Sequence, residues 1–170
     1  SRYFIDPNNS SHFYKQKSFF PLHYKDKDGV LRTIDPRLRP IASQPGIFVA
    51  NNQPVQTKYD LNNRIASIIL SDFTFSFNRN LTLYFEDDNG KNSPPKEAEF
   101  KNTTVGESGI ETTNGWNDID IRQIFRQGSV ETDFVINAPL NIPAGSEWVI
   151  FEDEISLPPG FEMDETIKVL

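Results

Sequence analysis

Apolar and polar residues alternate along much of this chain, and that two-residue period most restricts the fold it can adopt. The stretch "FTFSFNRNLTLYF", Phe73 to Phe85, shows it best. Phe73, Phe75 and Phe77 are separated by Thr74 and Ser76, while Leu81, Leu83 and Phe85 are separated by Thr82 and Tyr84. Successive side chains on a strand point to opposite faces, so such a run gives one apolar and one polar face. A helix would instead need apolar residues three and four apart, and no segment longer than about two turns has that period. Read as a hairpin, Asn78-Arg79-Asn80 makes a three-residue loop in which Asn tolerates the left-handed backbone of a tight turn. Phe77 then faces Leu81, Phe75 faces Leu83 and Phe73 faces Phe85, with the apolar side chains on one face. One long strand with a bulge is the alternative.

Other turns follow the same logic. In "FFPLHYKDKDGVLRTID", Lys27-Asp28-Gly29 supplies turn residues between Leu22/Tyr24 and Arg32/Ile34. Asp87-Asp88-Asn89-Gly90 reads as another turn. It opens a stretch rich in Pro, Gly, Ser and Thr, residues 89–115, expected to be one long polar loop. Near the end, Trp148 to Phe151 reads as a strand, Pro158-Pro159-Gly160 as a turn, and Ile167 to Leu170 as a closing strand.

The segment "GWNDIDIRQIFRQGSVETDFVIN" threads two acid pairs, Asp118/Asp120 and Glu131/Asp133, and two arginines, Arg122 and Arg126, through apolar residues. Ile121, Ile124 and Phe125 fit one helical turn, but the segment ends in a strand-like run. As a hairpin turning at Gln127-Gly128-Ser129, it sets Arg122 or Arg126 across from Glu131 or Asp133 on the wet face. Such cross-strand pairs are each worth on the order of 0.2–1 kcal/mol and need no catalytic role. Together these patterns predict an all-β fold, an antiparallel β-sandwich with long connecting loops and little helix, as a single domain over residues 1–170.

Size and composition agree with a folded chain. A protein of 170 residues can bury roughly 70% of the surface its unfolded form exposes, and 12% aromatic residues is more than disordered chains carry. The net charge of −7 leaves no basic surface to neutralise phosphates, so nucleic acid is not an expected partner. Membrane insertion is not expected either, because purely apolar runs such as "IFVA" and "WVIF", four residues each, are far too short to span a bilayer. Without cysteine there is neither a disulfide framework nor a thiolate site. The start at Ser1 suggests a trimmed product, and the apolar ending "IKVL" suggests a polypeptide that continues. Asn8, Asn9, Asn80 and Asn102 head glycosylation sequons, a pattern that recurs by chance in an Asn-rich chain.

Few residues suggest chemistry. His12 and His23 are the only histidines and lack the spacing of a zinc helix. Ser108 in "VGESGI" misses the nucleophile-elbow pattern by one glycine. The expected catalytic set is therefore empty, and no cofactor is expected. Asp26 and Asp28, like Asp87 and Asp88, offer half of an oxygen-rich calcium loop each, although neither pair continues to a bidentate glutamate. Acid clusters at Asp87-Asp88, Glu152-Asp153-Glu154 and Asp164-Glu165 also allow a glycosidase pair. Tyr84 and Trp116 are the candidate ligand-binding residues, expected to face solvent as a platform on which a glycan stacks, with Tyr59 and Trp148 as further aromatics.

"FPLHYKDKDGVLRTIDPRL", the following Gly46-Ile47-Phe48-Val49-Ala50 and Pro54-Val55, and the Gly115–Asn137 segment together resemble a recurrent pattern. It is the pattern of the N-terminal β-sandwich regions of large secreted and cell-surface, type IX secreted, multidomain proteins of Bacteroidetes. Leu31 stands where those proteins commonly have Trp, and Asn117-Asp118 where Pro-Gly is more usual. The resemblance carries over no catalytic residue. It implies an extracellular or bacterial cell-surface module of a longer polypeptide, structural or adhesive, whose partners are other protein domains or surface proteins, or else glycans. The contrasting expectation is a carbohydrate-binding or glycoside-hydrolase accessory domain.

Overall fold

The computed structural model describes residues 2–6, 9–16, 22–77, 80–91 and 93–162. Every regular element among them is a strand, so the fold is all-β and antiparallel. Where the sequence leads one to expect a single domain, the chain divides into two compact units, Ser1–Ile34 and Asp35–Leu170.

The first unit holds two hairpins. Strand β1 (Arg2–Asp6) pairs with β2 (Asn9–Gln16), and β3 (His23–Lys25) pairs with β4 (Leu31–Thr33), placing Tyr24 opposite Arg32 as the sequence predicts. The β3–β4 turn is built by Asp26. Its Oδ1 accepts the Asp28 and Val30 amides at 3.0 and 2.8 Å, and Gly29 closes the turn at φ +76°, a conformation glycine adopts without steric cost.

The second unit opens with a five-stranded meander of β5 (Arg39–Pro40), β6 (Ile47–Ala50), β7 (Gln56–Asp60), β8 (Ile65–Leu70) and β9 (Phe73–Phe77), each paired with the next. Next come β10 (Thr82–Asp87), β11 (Gly90–Lys91) and β12 (Lys96–Glu97), the last two both pairing with β10. A second meander follows, β13 (Thr103–Val105), β14 (Gly109–Trp116), β15 (Ile119–Arg126) and β16 (Ser129–Ile136). Finally β17 (Trp148–Glu152) returns to β10, with Leu83 opposite Phe151.

Two expectations are corrected. Phe73–Phe77 and Leu81–Phe85 do not form a hairpin. β9 pairs back onto β8, with Ala66 opposite Phe77 and Leu70 opposite Phe73, whereas β10 belongs to the next sheet. Ser71-Asp72 forms a tight turn, Ser71 at φ +52°, and this local closure gives β9 a partner before residue 78 is reached. Residues 89–115 are not one long loop, since β11, β12, β13 and most of β14 lie there. The expected strand at Ile167–Leu170 and the turn residues Asn78-Arg79 lie outside the described residues, as do Asp164, Glu165 and Asn8.

The β13–β16 sheet serves two cores. At one end Ile110 and Phe125 pack with Leu38, Ala50, Tyr59 and Ala66 of the five-stranded side. At the other, Trp116, Ile119 and Ile121 pack with Leu81, Leu83 and Ala98, against partly buried Phe134, Val149 and Phe151. Between them the same sheet buries Thr112 and Gln123, at 1% and 2% exposure. This is a sandwich whose opposing layer is supplied by two sheets in succession.

Candidate interaction surface

The Gly115–Asn137 segment folds as a hairpin, β15 against β16, with Arg122 opposite Asp133, but its turn is Gln127-Gly128 alone, and Ser129, expected in the turn, pairs with Arg126. Its charges are engaged locally. Arg126 pairs with Glu131 at 2.9 Å, and Arg122 reaches sideways to Glu111 on β14 at 3.1 Å. Asp120 follows a bulge in β14, where the ladder shifts between Thr112 and Trp116 and Asn114 sits at φ +53°. Its carboxylate accepts the Asn114 amide at 2.8 Å and the Asn137 side chain at 2.9 Å. These contacts, the Asn114 amide first, hold the Asp120 carboxyl below the usual aspartate range.

That bulge sends Trp116 inward, against the expectation that it faces solvent. The indole N–H donates to the Lys96 carbonyl at 2.9 Å, and the ring packs on Phe134 and Phe151, which stack face to face at 3.9 Å. Trp116 also lines a shallow depression of about 370 Å³ with Glu97, Glu99, Asn114 and Asn117. Tyr84 is also interior. On β10, Leu83 and Tyr84 point to opposite faces and both are buried, because this strand is covered on each side. Tyr59 is fully buried, and Trp148, at 59% exposure, is the candidate aromatic that meets solvent. Neither Tyr84 nor Trp116 forms the expected stacking platform.

The proposed calcium residues sit in turns. Asp26 gives one oxygen to turn amides and the other to Arg32 at 2.8 Å, and Asp87 accepts the Asn89 amide at 2.7 Å. Asp28 and Asp88 are exposed on the same two turns. Among the described residues, no three His, Asp or Glu side chains converge on a point that a metal ion would occupy.

Two surface features were not foreseen. The first is a depression of about 360 Å³ on the outer face of β13–β15, with Thr104, Glu111, Arg122 and Ile124 around Gly109. Gly109 also lets β14 and β15 approach closely, since a Cβ there would lie 2.5 Å from the Gln123 carbonyl oxygen. The Gly106–Gly109 turn carries Ser108 along its rim, and Glu107 of that turn is tied to Arg37 and Arg39. Arg37 also grips Asp35 with two bonds of 2.7 and 2.8 Å. That guanidinium, above all, holds the Asp35 carboxyl down at about 2.

A folded-state carboxyl held below its ordinary value near 3.8 contributes stability that is complete above 3.8 and is lost as pH falls toward 2. Asp120 has the same sign. The melting temperature is therefore expected to fall between pH 3.8 and 2, and Asp35→Asn is expected to flatten that part of the profile. Thermal melts followed by circular dichroism check this. An unchanged slope in the variant would show that the Asp35–Arg37 pair does not persist in solution.

The second feature is the tip of the β8–β9 hairpin, where Leu70 and Phe73 stand across from each other and are largely exposed. Phe161 lies edge-on to both Phe73 and Phe75. The signal in the sequence was "LSDF", two turn residues between large apolar ones, which marks the turn but not its exposure.

No protein-family model, curated protein or solved structure matches the chain.

Proposed function

We propose that this chain is a non-catalytic module that works by contact, an adhesion or assembly element of an extracellular or bacterial surface protein. The observation that carries this reading is the exposed apolar cluster of Leu70, Phe73 and Phe161. Large apolar side chains gathered at one place on a surface mark sites of association more often than scattered ones do. The arrangement of charge supports it: Arg122, Arg126, Arg37 and Arg39 each pair with an acid, as cross-strand and turn bracing would require. The glycan-binding alternative loses its two leading aromatics, Tyr84 and Trp116, to the interior and keeps only Trp148 exposed. The resemblance of its sequence patterns to those of type IX secreted surface proteins is the ground for the extracellular and bacterial part of the proposal.

The purified chain, used as bait against envelope and secreted fractions of the producing cell with and without a calcium chelator, is expected to recover a specific protein partner. Recovery that requires calcium would bring Asp87 and Asp88 back as ligands. Binding on a glycan array without any protein partner would overturn the proposal.

A further inference from the structure

On the inner face of β8, Ala66, Ile68 and Leu70 follow one another two residues apart, and Phe77, Phe75 and Phe73 stand opposite them on β9. Burial falls along this double row. Ala66 is fully buried, and Phe77 packs on the first core. Ile68 and Phe75 are half-buried. At the tip Leu70 is 47% exposed and Phe73 41%. A row of core-type side chains thus runs from the interior out to open solvent, with no change in residue type to match.

Phe161 reaches across the row, its ring centroid 4.9 Å from that of Phe73 and 5.3 Å from that of Phe75, and is itself 42% exposed. Two contacts hold it there. Ser156 exchanges backbone hydrogen bonds with Ser76 at 3.0 and 2.7 Å, fixing the segment to the outer edge of β9. The turn at Pro158–Gly160, with Gly160 at φ +85° and the Phe161 amide donating to the Pro158 carbonyl, brings the ring back. The cluster is preorganised, which lowers the entropic cost of binding to it.

The two chain segments that form it carry one sign of charge. Neither residues 65–77 nor residues 153–162 contain a lysine or arginine. Asp72 lies in the tip turn and Glu162 follows Phe161, both exposed, with Asp153 and Glu154 on the same segment. Glu154 is engaged by the Asn80 side chain. A second copy of this chain docking tip to tip would set Asp72 and Glu162 against their own duplicates, and like charges brought together in an interface are costly. A cationic occupant satisfies both features of the site.

We propose that the β8–β9 tip, with Phe161, docks a segment of a partner protein in which apolar side chains are flanked by lysine or arginine. The apolar residues cover Leu70, Phe73 and Phe161, and the cations meet Asp72 and Glu162. This rests on reading the chain as a contact module and names the surface and the kind of partner that reading requires.

Three short synthetic peptides test it by fluorescence anisotropy: one with central Val residues flanked by Lys, one with Ser in place of Val, and one with Glu in place of Lys. The Val/Lys peptide is expected to bind saturably, with the other two at least about tenfold weaker, and added salt is expected to weaken it further. Asp72→Lys and Phe73→Ser should each cost about tenfold in affinity. Asp72 lies in an exposed turn, so its replacement tests the charge requirement without opening the core. Equal binding of the Ser/Lys peptide would reduce the attraction to overall negative charge and overturn the proposal, as would wild-type affinity in Asp72→Lys. Capture of one protein partner by the wild type and by Asp72→Lys alike would overturn the tip as the docking site and leave the contact-module reading standing. No captured partner alongside tip-dependent peptide binding would do the reverse.

Discussion

Replacing Trp116 by alanine is expected to destabilise the second unit by about 3–5 kcal/mol, the usual cost of removing a large buried aromatic. Trp116 is 7% exposed and lies against Phe134 and Phe151, with Ile119 and Ile121 in the same cluster. Its removal opens a void between the β13–β16 sheet and the β10–β17 pair, and it strips the Lys96 carbonyl of its donor. Domains are stable by only about 5–15 kcal/mol in total, so the loss should be large enough to shift the denaturant midpoint plainly. Trp116→Phe is expected to cost less, because it keeps part of the ring contact while losing the N–H and the second ring. Guanidinium unfolding followed by circular dichroism gives both values. A cost near that of a surface substitution in Trp116→Ala would mean that the second core does not depend on this ring.

The second large effect is Gly109→Ala. In an unconstrained strand, exchanging glycine for alanine gains about 0.5–1 kcal/mol, because glycine loses more backbone freedom on folding. Here the sign is expected to reverse. The new Cβ would stand 2.5 Å from the Gln123 carbonyl oxygen and 3.5 Å from the Ile124 Cα. Backbone cannot rotate away as a side chain can, so β14 and β15 must separate. Overpacking of this kind costs about 1–3 kcal/mol. Gly106→Ala is the internal control, since its Cβ would meet nothing closer than 3.6 Å. Denaturation midpoints of the two variants, measured side by side, decide the matter. Equal stability would show that the ladder yields at this point.

Local features of this fold were legible in the sequence, and partnerships were not. The β3–β4 and β10–β11 turns and the β15–β16 hairpin follow from turn residues set between alternating runs, and each is closed by its own neighbours. Alternation states which face a residue takes, but not which strand lies beside it. That is why β9 and β10 read as a pair although each found another partner. Strand β14 was hidden for a different reason. "GIETTNGW" places Thr112 inward at 1% exposure, and its glycines occupy positions where a side chain has no room, so a buried strand reads as polar loop. Tyr84 and Trp116 fail the solvent reading because both faces of β10 are covered and a bulge resets the phase of β14. The charge pairing of Arg126 with Glu131 could be foreseen from hairpin register, whereas Glu111 as the partner of Arg122 needed the neighbouring strand. The β8–β9 tip could not be foreseen, because exposure there depends on where the opposing sheet ends.

The β13–β16 sheet, shared by two cores, also governs how the chain can be dissected. The connection between β12 and β13 looks like a natural place to cut, since one group of strands ends there and a meander begins. A fragment that stopped at residue 100 would keep Tyr59, Ala66, Leu81 and Leu83, but it would lose the Ile110, Phe125, Ile119 and Ile121 side chains that close both interiors. The complementary fragment would keep that meander with its apolar face bare towards the lost Leu38, Tyr59 and Leu81. The second unit, Asp35–Leu170, is accordingly better carried forward whole than cut at that connection, for grafting, display or fusion.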